Sequence, residues 1–281
     1  MPSWLPPTDG KGGDRPLGPM FTAEHGGGAP VVLLHCQPGD SHDWDLVVDH
    51  LDGRARALVP DRPGYGRTGE PAGGIARNTD AVLGLLDAAG IDQATVAGFS
   101  WGGAVALDLA QRHPDRLRAL VLVSSVGGTG SIDDLDRLLG APVIGPLLSL
   151  GGLVALRVDR IRRLLGPRHA PADPVALDRL PDGWLRSWRS FVIEERALLE
   201  ELPAITASLG RTQVPAVVML GELDRVVRPR SQEAMASELP RAEVLRIPGC
   251  GHLLTREVPH LVADVIAAAA GAARDGHPPR R

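Results

Sequence analysis

The sequence predicts an α/β fold, a doubly wound, mostly parallel central sheet with an inserted helical cap. Three observations lead there. Short β-branched and aliphatic runs, each closed by Gly, Pro or polar residues, alternate with stretches whose apolar residues recur at helical spacing. These runs are mostly continuous in their apolar character, as strands covered on both faces require. Between about Gly127 and Gly210 the runs stop, and segments of helical character broken by Gly and Pro take their place.

In chain order, residues 1–16 are rich in Pro, Gly and charge and read as a loose tail. Val31 to His35 and Arg56 to Asp61 are the first two strand candidates. A helix follows over Asp80 to Ala89, with Asn78-Thr79 as its capping pair. Ala94 to Phe99 is the next strand, Ala104 to Arg112 a helix, and Leu120 to Ser125 a strand. In the insert, Val154, Val158, Ile161 and Leu165 share one helical face, and a second helix is expected over Asp182 to Leu202. The strand pattern returns at Ala216 to Glu222 and Glu243 to Gly249, with helices at Ser231 to Leu239 and Glu257 to Ala270. Residues 272–281 read as a second tail. The domain organisation is therefore a sheet domain from 1–126 and 211–281, with 127–210 as a cap that does not fold on its own. There is no internal repeat.

Composition narrows the function classes. A chain of 281 residues, 43% hydrophobic and 23% charged, can bury a sizeable core and is neither disordered nor fibrous. A net charge of −4 with scattered basic residues argues against nucleic acid as a partner. The start, Met1-Pro2-Ser3-Trp4, lacks a secretory signal's basic and apolar regions, so the chain reads as cytosolic. The longest apolar stretch near the C-terminus, Val262 to Ala273, is interrupted by Asp264 and Gly271 and is too short to span a bilayer. Two cysteines, Cys36 and Cys250, cannot make a disulfide framework. They are expected near one rim of the site, as inert thiols or as a redox-sensitive pair. His42 and His50 lack ligand spacing, so no metal is expected.

Gly98-Phe99-Ser100-Trp101-Gly102 falls between a strand and an Ala-rich helix. Glycines at those spacings let the chain turn sharply and thrust a serine oxygen into the open, the geometry of a nucleophile elbow. With 34 glycines in the chain, chance would supply such a pattern in roughly one sequence of six, so the setting carries the inference. A serine hydroxyl needs a base within hydrogen-bond reach. His252, in the small-residue loop Gly249-Cys250-Gly251 after the last strand, is the candidate. Asp224, past the turn that follows the preceding strand, would hold the imidazole in one tautomer. The order Ser100, Asp224, His252 is that of the α/β-hydrolase triad. Oxyanion donors would be the backbone N–H groups of Trp101 and of Gln37.

At this point the sequence resembles the capped α/β-hydrolases, which include small-molecule esterases, haloperoxidase-like enzymes, epoxide hydrolases and carbon–carbon bond hydrolases. The resemblance rests on His35 to Gly39, the turn Asp61-Arg62-Pro63-Gly64-Tyr65-Gly66-Arg67-Thr68, the elbow, Gly221 to Asp224 and Gly251-His252. It implies a hydrolase acting on a small molecule, and the triad mechanism expected here needs no cofactor. Serine at the elbow, where epoxide hydrolases and dehalogenases carry Asp, turns the expectation from those chemistries. Cys36 replaces the family's usual Gly after the first His. The expected reaction is hydrolysis of a small, fairly apolar ester, thioester or lactone; the alternatives are carbon–carbon bond hydrolysis or acyl transfer with the same triad, and ligand binding without turnover. Trp44, Trp184, Trp188 and Phe191 are candidates for the pocket wall. For the last three the competing reading is a packing stripe of the cap helix.

Overall fold

The computed structural model describes residues 13–157 and 184–275. Over these the chain runs β1 (Arg15–Leu17), β2 (Met20–His25), β3 (Pro30–Leu34), α1 (Asp45–Leu51), β4 (Arg56–Pro60), α2 (Ile75–Ala88), β5 (Ala94–Phe99), α3 (Trp101–Arg112), β6 (Leu117–Val123), α4 (Asp134–Gly140), α5 (Ile144–Arg157), α6 (Trp184–Thr206), β7 (Ala216–Gly221), α7 (Pro229–Glu238), β8 (Ala242–Ile247), α8 (Leu254–Glu257) and α9 (Pro259–Asp275). The strands form one sheet in the order β1-β2-β4-β3-β5-β6-β7-β8. β1, β2 and β4 pair antiparallel, and every pair from β4 through β8 is parallel.

The sheet has a core on each face because side chains alternate along the strands. On β3, Val32 and Leu34 join one cluster with α2 and α3, while Val31 and Leu33 join the other with α1 and α9. β6 divides in the same way: Leu120 and Leu122 face the first cluster, Val121 and Val123 the second. β5, in the middle, is buried at all six residues, which explains its uninterrupted apolar sequence. The edge strand β8 is covered less, and only Ile247 is buried.

The six expected strands are present, displaced by at most three residues at an end. β1 and β2 were not anticipated. β1 takes in Arg15 and Pro16 of the expected tail, which carry no apolar run but pair with β2. α9 likewise continues to Asp275, past residue 272. α2 begins at Ile75 with Gly74 as N-cap, so Asn78 and Thr79 lie inside it and do not cap it. Their side chains act elsewhere: Asn78 Nδ2 donates to the carbonyls of Gly73 and Gly74, and Thr79 Oγ1 donates to Asp108 at 2.7 Å.

The insert lies between β6 and β7 and is helical where it is described. α4 opens on a capping box in which Asp133 and Asp136 satisfy each other's backbone N–H groups. α6 covers the expected second cap helix from Trp184 onward and extends it at the C-terminal end to Thr206; Asp182 and Gly183 lie outside the described residues. Of the expected first face, Val154 falls in α5, whereas Val158, Ile161 and Leu165 lie outside the described residues. Among the described residues no helix is long and apolar enough to cross a membrane.

Candidate active site

Loops at the carboxyl ends of β3, β5, β7 and β8 meet at one edge of the sheet, where ligands of open α/β folds bind. Ser100 sits between β5 and α3 with φ 52° and ψ −116°, a left-handed conformation that a side chain adopts at a cost. The turn is held on both sides. Ser100 N donates to Val123 O at 3.0 Å, and Ser100 O accepts from Gly103 and Val126 at 2.9 and 3.1 Å. Each neighbouring glycine answers a close approach. A Cβ on Gly98 would lie 2.5 Å from Gly102 O, and one on Gly102 would lie 2.5 Å from Leu34 O.

That second approach presses the N-terminus of α3 onto the end of β3. The backbone amide of Trp101, first in the helix and without an intrahelical acceptor, therefore lies near the loop that carries Gln37. His252 and Asp224 are brought together by a comparable contact. A Cβ on Gly221 would stand 2.6 Å from Cys250 O, so the loops after β7 and β8 lie directly against each other, joined by Leu223 N donating to Cys250 O at 2.8 Å.

The three side chains form a continuous chain of hydrogen bonds: His252 Nε2 lies 3.2 Å from Ser100 Oγ, and His252 Nδ1 lies 2.9 Å from Asp224 Oδ2. The Asp224 carboxyl is buried and accepts on both oxygens, from Val226 and Val227 N–H on Oδ1 and from Gln232 Nε2 on Oδ2. Because Oδ2 accepts, Nδ1 carries the imidazole proton and Nε2 is left with its lone pair toward Ser100. Phe99 backs the imidazole, with ring centroids 5.4 Å apart.

A second polar assembly lies between the sheet and α6. Arg62 is buried and donates to His35 O at 3.1 Å, Cys36 O at 2.8 Å, Asn78 Oδ1 at 3.2 Å and both oxygens of Glu194. Tyr65 OH donates to Glu194 Oε2 at 2.7 Å. Burial pushes the Tyr65 phenol well up, with the Glu194 charge adding to it. The next residue of α6, Glu195, accepts from Gln37 Nε2 at 2.6 Å. Burial, reinforced by Asp136 and Glu194, pushes Glu195 up to about 8. Gln232, Glu194 and Glu195 were not anticipated from sequence. The partners of Glu194 and Glu195 lie 132 and 158 residues away, so no local spacing marks them; Gln232 is only eight residues from Asp224 but belongs to no motif.

The aromatic candidates divide. Trp44 does not line a pocket: its side chain is wholly buried in the core on the α1 and α9 side, edge-on to Phe99 at 6.5 Å. A bulky apolar residue on the short turn before α1 is taken up by the core there. Trp188 is half-buried and donates from Nε1 to Pro146 O and Ser149 Oγ, tying α6 to α5. Phe191 is half-buried on the same helix. Trp184 is the first residue of α6, and its side chain lies outside the described residues. Both thiols are free. Cys36 is buried and donates to Asp43 Oδ2 at 3.2 Å; burial raises it well above the ordinary thiol range, as it raises Cys250. A thiol so raised is a poor nucleophile. Among the described residues no group of three or more His, Cys, Asp or Glu side chains could hold a metal ion.

The model of the alpha/beta hydrolase family matches residues 31–265. The chain is 28% identical over 263 residues to a 2-hydroxymuconate semialdehyde hydrolase from Pseudomonas sp. (strain CF600), covering 89% of this chain and 91% of that protein. It is 27% identical over 230 residues to a pimeloyl-acyl-carrier-protein methyl ester esterase from Neisseria meningitidis, covering 79% and 86%. Among solved structures it is similar to a thermophilic esterase from Thermogutta terrifontis, with TM-score 0.69, 24% identity and coverage of 90% and 93%.

Proposed function

The chain belongs to the alpha/beta hydrolase family, and from that premise we propose that it is a serine hydrolase cleaving a small, fairly apolar ester, thioester or lactone. The observation that carries the reading is the unbroken hydrogen-bonded chain from a serine in strained, left-handed backbone through His252 to the buried Asp224. In this reading Ser100 Oγ attacks the carbonyl as His252 Nε2 takes its proton. Asp224 stabilises the imidazolium, and the oxyanion accepts from the amides of Gln37 and Trp101. The imidazolium then protonates the leaving group, and water cleaves the acyl-enzyme by the same relay. The likeness to a methyl ester esterase over most of both chains supports an ester as substrate.

A second reading, hydrolysis of a carbon–carbon bond with the same three residues, is favoured by the likeness to a semialdehyde hydrolase across 91% of that protein. The two part on a panel of substrates. Aryl esters of graded acyl length turned over well above a ring-cleavage oxo-dienoate support the ester reading, and the reverse order supports the other. Both require a fluorophosphonate to label Ser100 in the folded protein; no labelling sinks them together. Ser100→Ala and His252→Ala are each expected to lower kcat by about 10⁶, and Asp224→Asn by about 10⁴, measured on the best ester. A loss of tenfold or less in all three would point to a different mechanism.

A further inference from the structure

The peptide between Cys36 and Gln37 is one planar unit, so its carbonyl and its N–H point in opposite directions. Whatever fixes the Cys36 carbonyl therefore aims the Gln37 amide. That carbonyl accepts two hydrogen bonds at once, from His35 Nδ1 and from Arg62 Nη2, each at 2.8 Å. His35 donates there because its other nitrogen, Nε2, accepts the backbone N–H of Arg62 at 2.9 Å, which sets the tautomer. Burial and the Arg62 charge hold the His35 ring well below its ordinary range, so it is neutral and able to accept.

Arg62 also touches the side chain of Trp101, the residue whose backbone amide is the second oxyanion donor in this reading. Its guanidinium stacks over the Trp101 indole, 4.5 Å from the ring centroid. A lone buried charge of this kind is costly, and Glu194 of α6 offsets it. Glu194 is itself wholly buried and held by Tyr65. A hydrogen bond from a charged donor polarises the peptide it meets and strengthens the N–H at the far end.

We infer that Arg62 is a positioning residue, which aims and polarises the Cys36–Gln37 amide toward the oxyanion, and that Glu194 makes this alignment depend on the cap being seated. The inference rests on the serine hydrolase reading above. It differs from a purely structural ion pair in what it does to turnover. A structural pair sets how many molecules are folded; a positioning pair sets how fast each folded molecule works.

The experiment is active-site titration of one aliquot with a fluorophosphonate, taken to completion, with kcat and KM for an aryl ester measured on an unlabelled aliquot and expressed per titratable site. Arg62→Lys keeps the charge but loses the planar fork that meets His35, Cys36 and Glu194 together. The expected result is a fall in kcat per site of about 10- to 100-fold, with KM within about threefold of wild type. Affinity for a trifluoromethyl ketone, whose adduct mimics the tetrahedral intermediate, should fall in parallel. Glu194→Gln should move kcat in the same direction by a smaller factor. A kcat per site within twofold of wild type in both variants, with only the Tm lowered, overturns the inference. If Arg62→Lys does not fold, Glu194→Gln and Tyr65→Phe decide by the same criterion. No labelling of the wild type removes the hydrolase reading and this inference with it, whereas labelled wild type with unchanged variants removes the inference alone.

Discussion

Glu195 is nearly fully buried; one oxygen accepts from Gln37 Nε2 and the other, Oε2, has no partner among the described residues. Burial first, then Asp136 and Glu194, raise its pKa from about 4.5 to about 8. The folded protein therefore holds this proton through neutral pH, while the unfolded chain releases it near 4.5. Stability from the protonated form is complete below that unfolded value and is lost as pH rises through about 8, at about 1.4 kcal/mol per pH unit inside the window. Glu195→Gln cannot titrate, so it should lack this slope. Urea unfolding at pH 6.5 and 7.5 checks it: wild type should lose about 1.4 kcal/mol more between the two than the variant does. Equal losses would mean that Glu195 is already ionised in the folded state. No feature of the sequence marks this group. Ser100, His252 and Asp224 announce themselves by neighbours in the chain, but Glu195 acquires its character from burial against distant parts of the chain and from Asp136, whereas Gln37, 158 positions away, only moderates it.

At the scale of elements, the elbow shows what local sequence can specify. Gly98, Gly102 and Gly103 are legible because the junction of β5 and α3 leaves no room for a side chain, whatever the rest of the molecule does. Gly98→Ala should push α3 off the sheet, since its Cβ would lie 2.5 Å from Gly102 O and 2.6 Å from Gly103 N. Relief requires backbone movement, and a loss of about 3 kcal/mol or more in unfolding free energy is expected, together with slower fluorophosphonate labelling. A stable variant labelled at the wild-type rate would show that the turn is looser than this. Strands β3 through β7 were legible for a related reason, because burial on both faces demands continuous apolar residues. β1 and β2 were not, since an antiparallel edge pair is set by hydrogen bonding to β4 more than by composition. Trp44 was misread because an aromatic residue on a loop beside the site looks the same in sequence whether it faces a cavity or the core.

For the whole molecule, the question is whether the cap is a separate unit on a sheet domain or part of one core. Leu198, Leu202 and Ile205 of α6 belong to the same buried cluster as Leu85 of α2 and Val105 and Leu109 of α3. Polar contacts point the same way. Ser190 Oγ donates to Gly64 O at 2.8 Å, Arg186 donates to Thr68 O, and Glu194 meets Arg62 beneath them. α6 is thus held to the turn at 61–68 through its first half, from Arg186 to Glu194, and it also packs against α4 and α5. Burial of this kind couples the two regions, so unfolding should be a single event. Leu202 is wholly buried, and Leu202→Ala should remove about 2 to 5 kcal/mol, the spread depending on how far the site collapses around the missing atoms. The loss should appear equally in the far-ultraviolet signal, dominated by helices of both regions, and in tryptophan fluorescence, which reports on Trp188 in the cap and on Trp44 and Trp101 in the sheet domain. Coincident transitions shifted together in both signals are the expected outcome. Two transitions in each signal, with only one of them moved by the substitution, would show instead that the cap folds on its own and that its seating over Arg62 is an equilibrium distinct from the folding of the sheet.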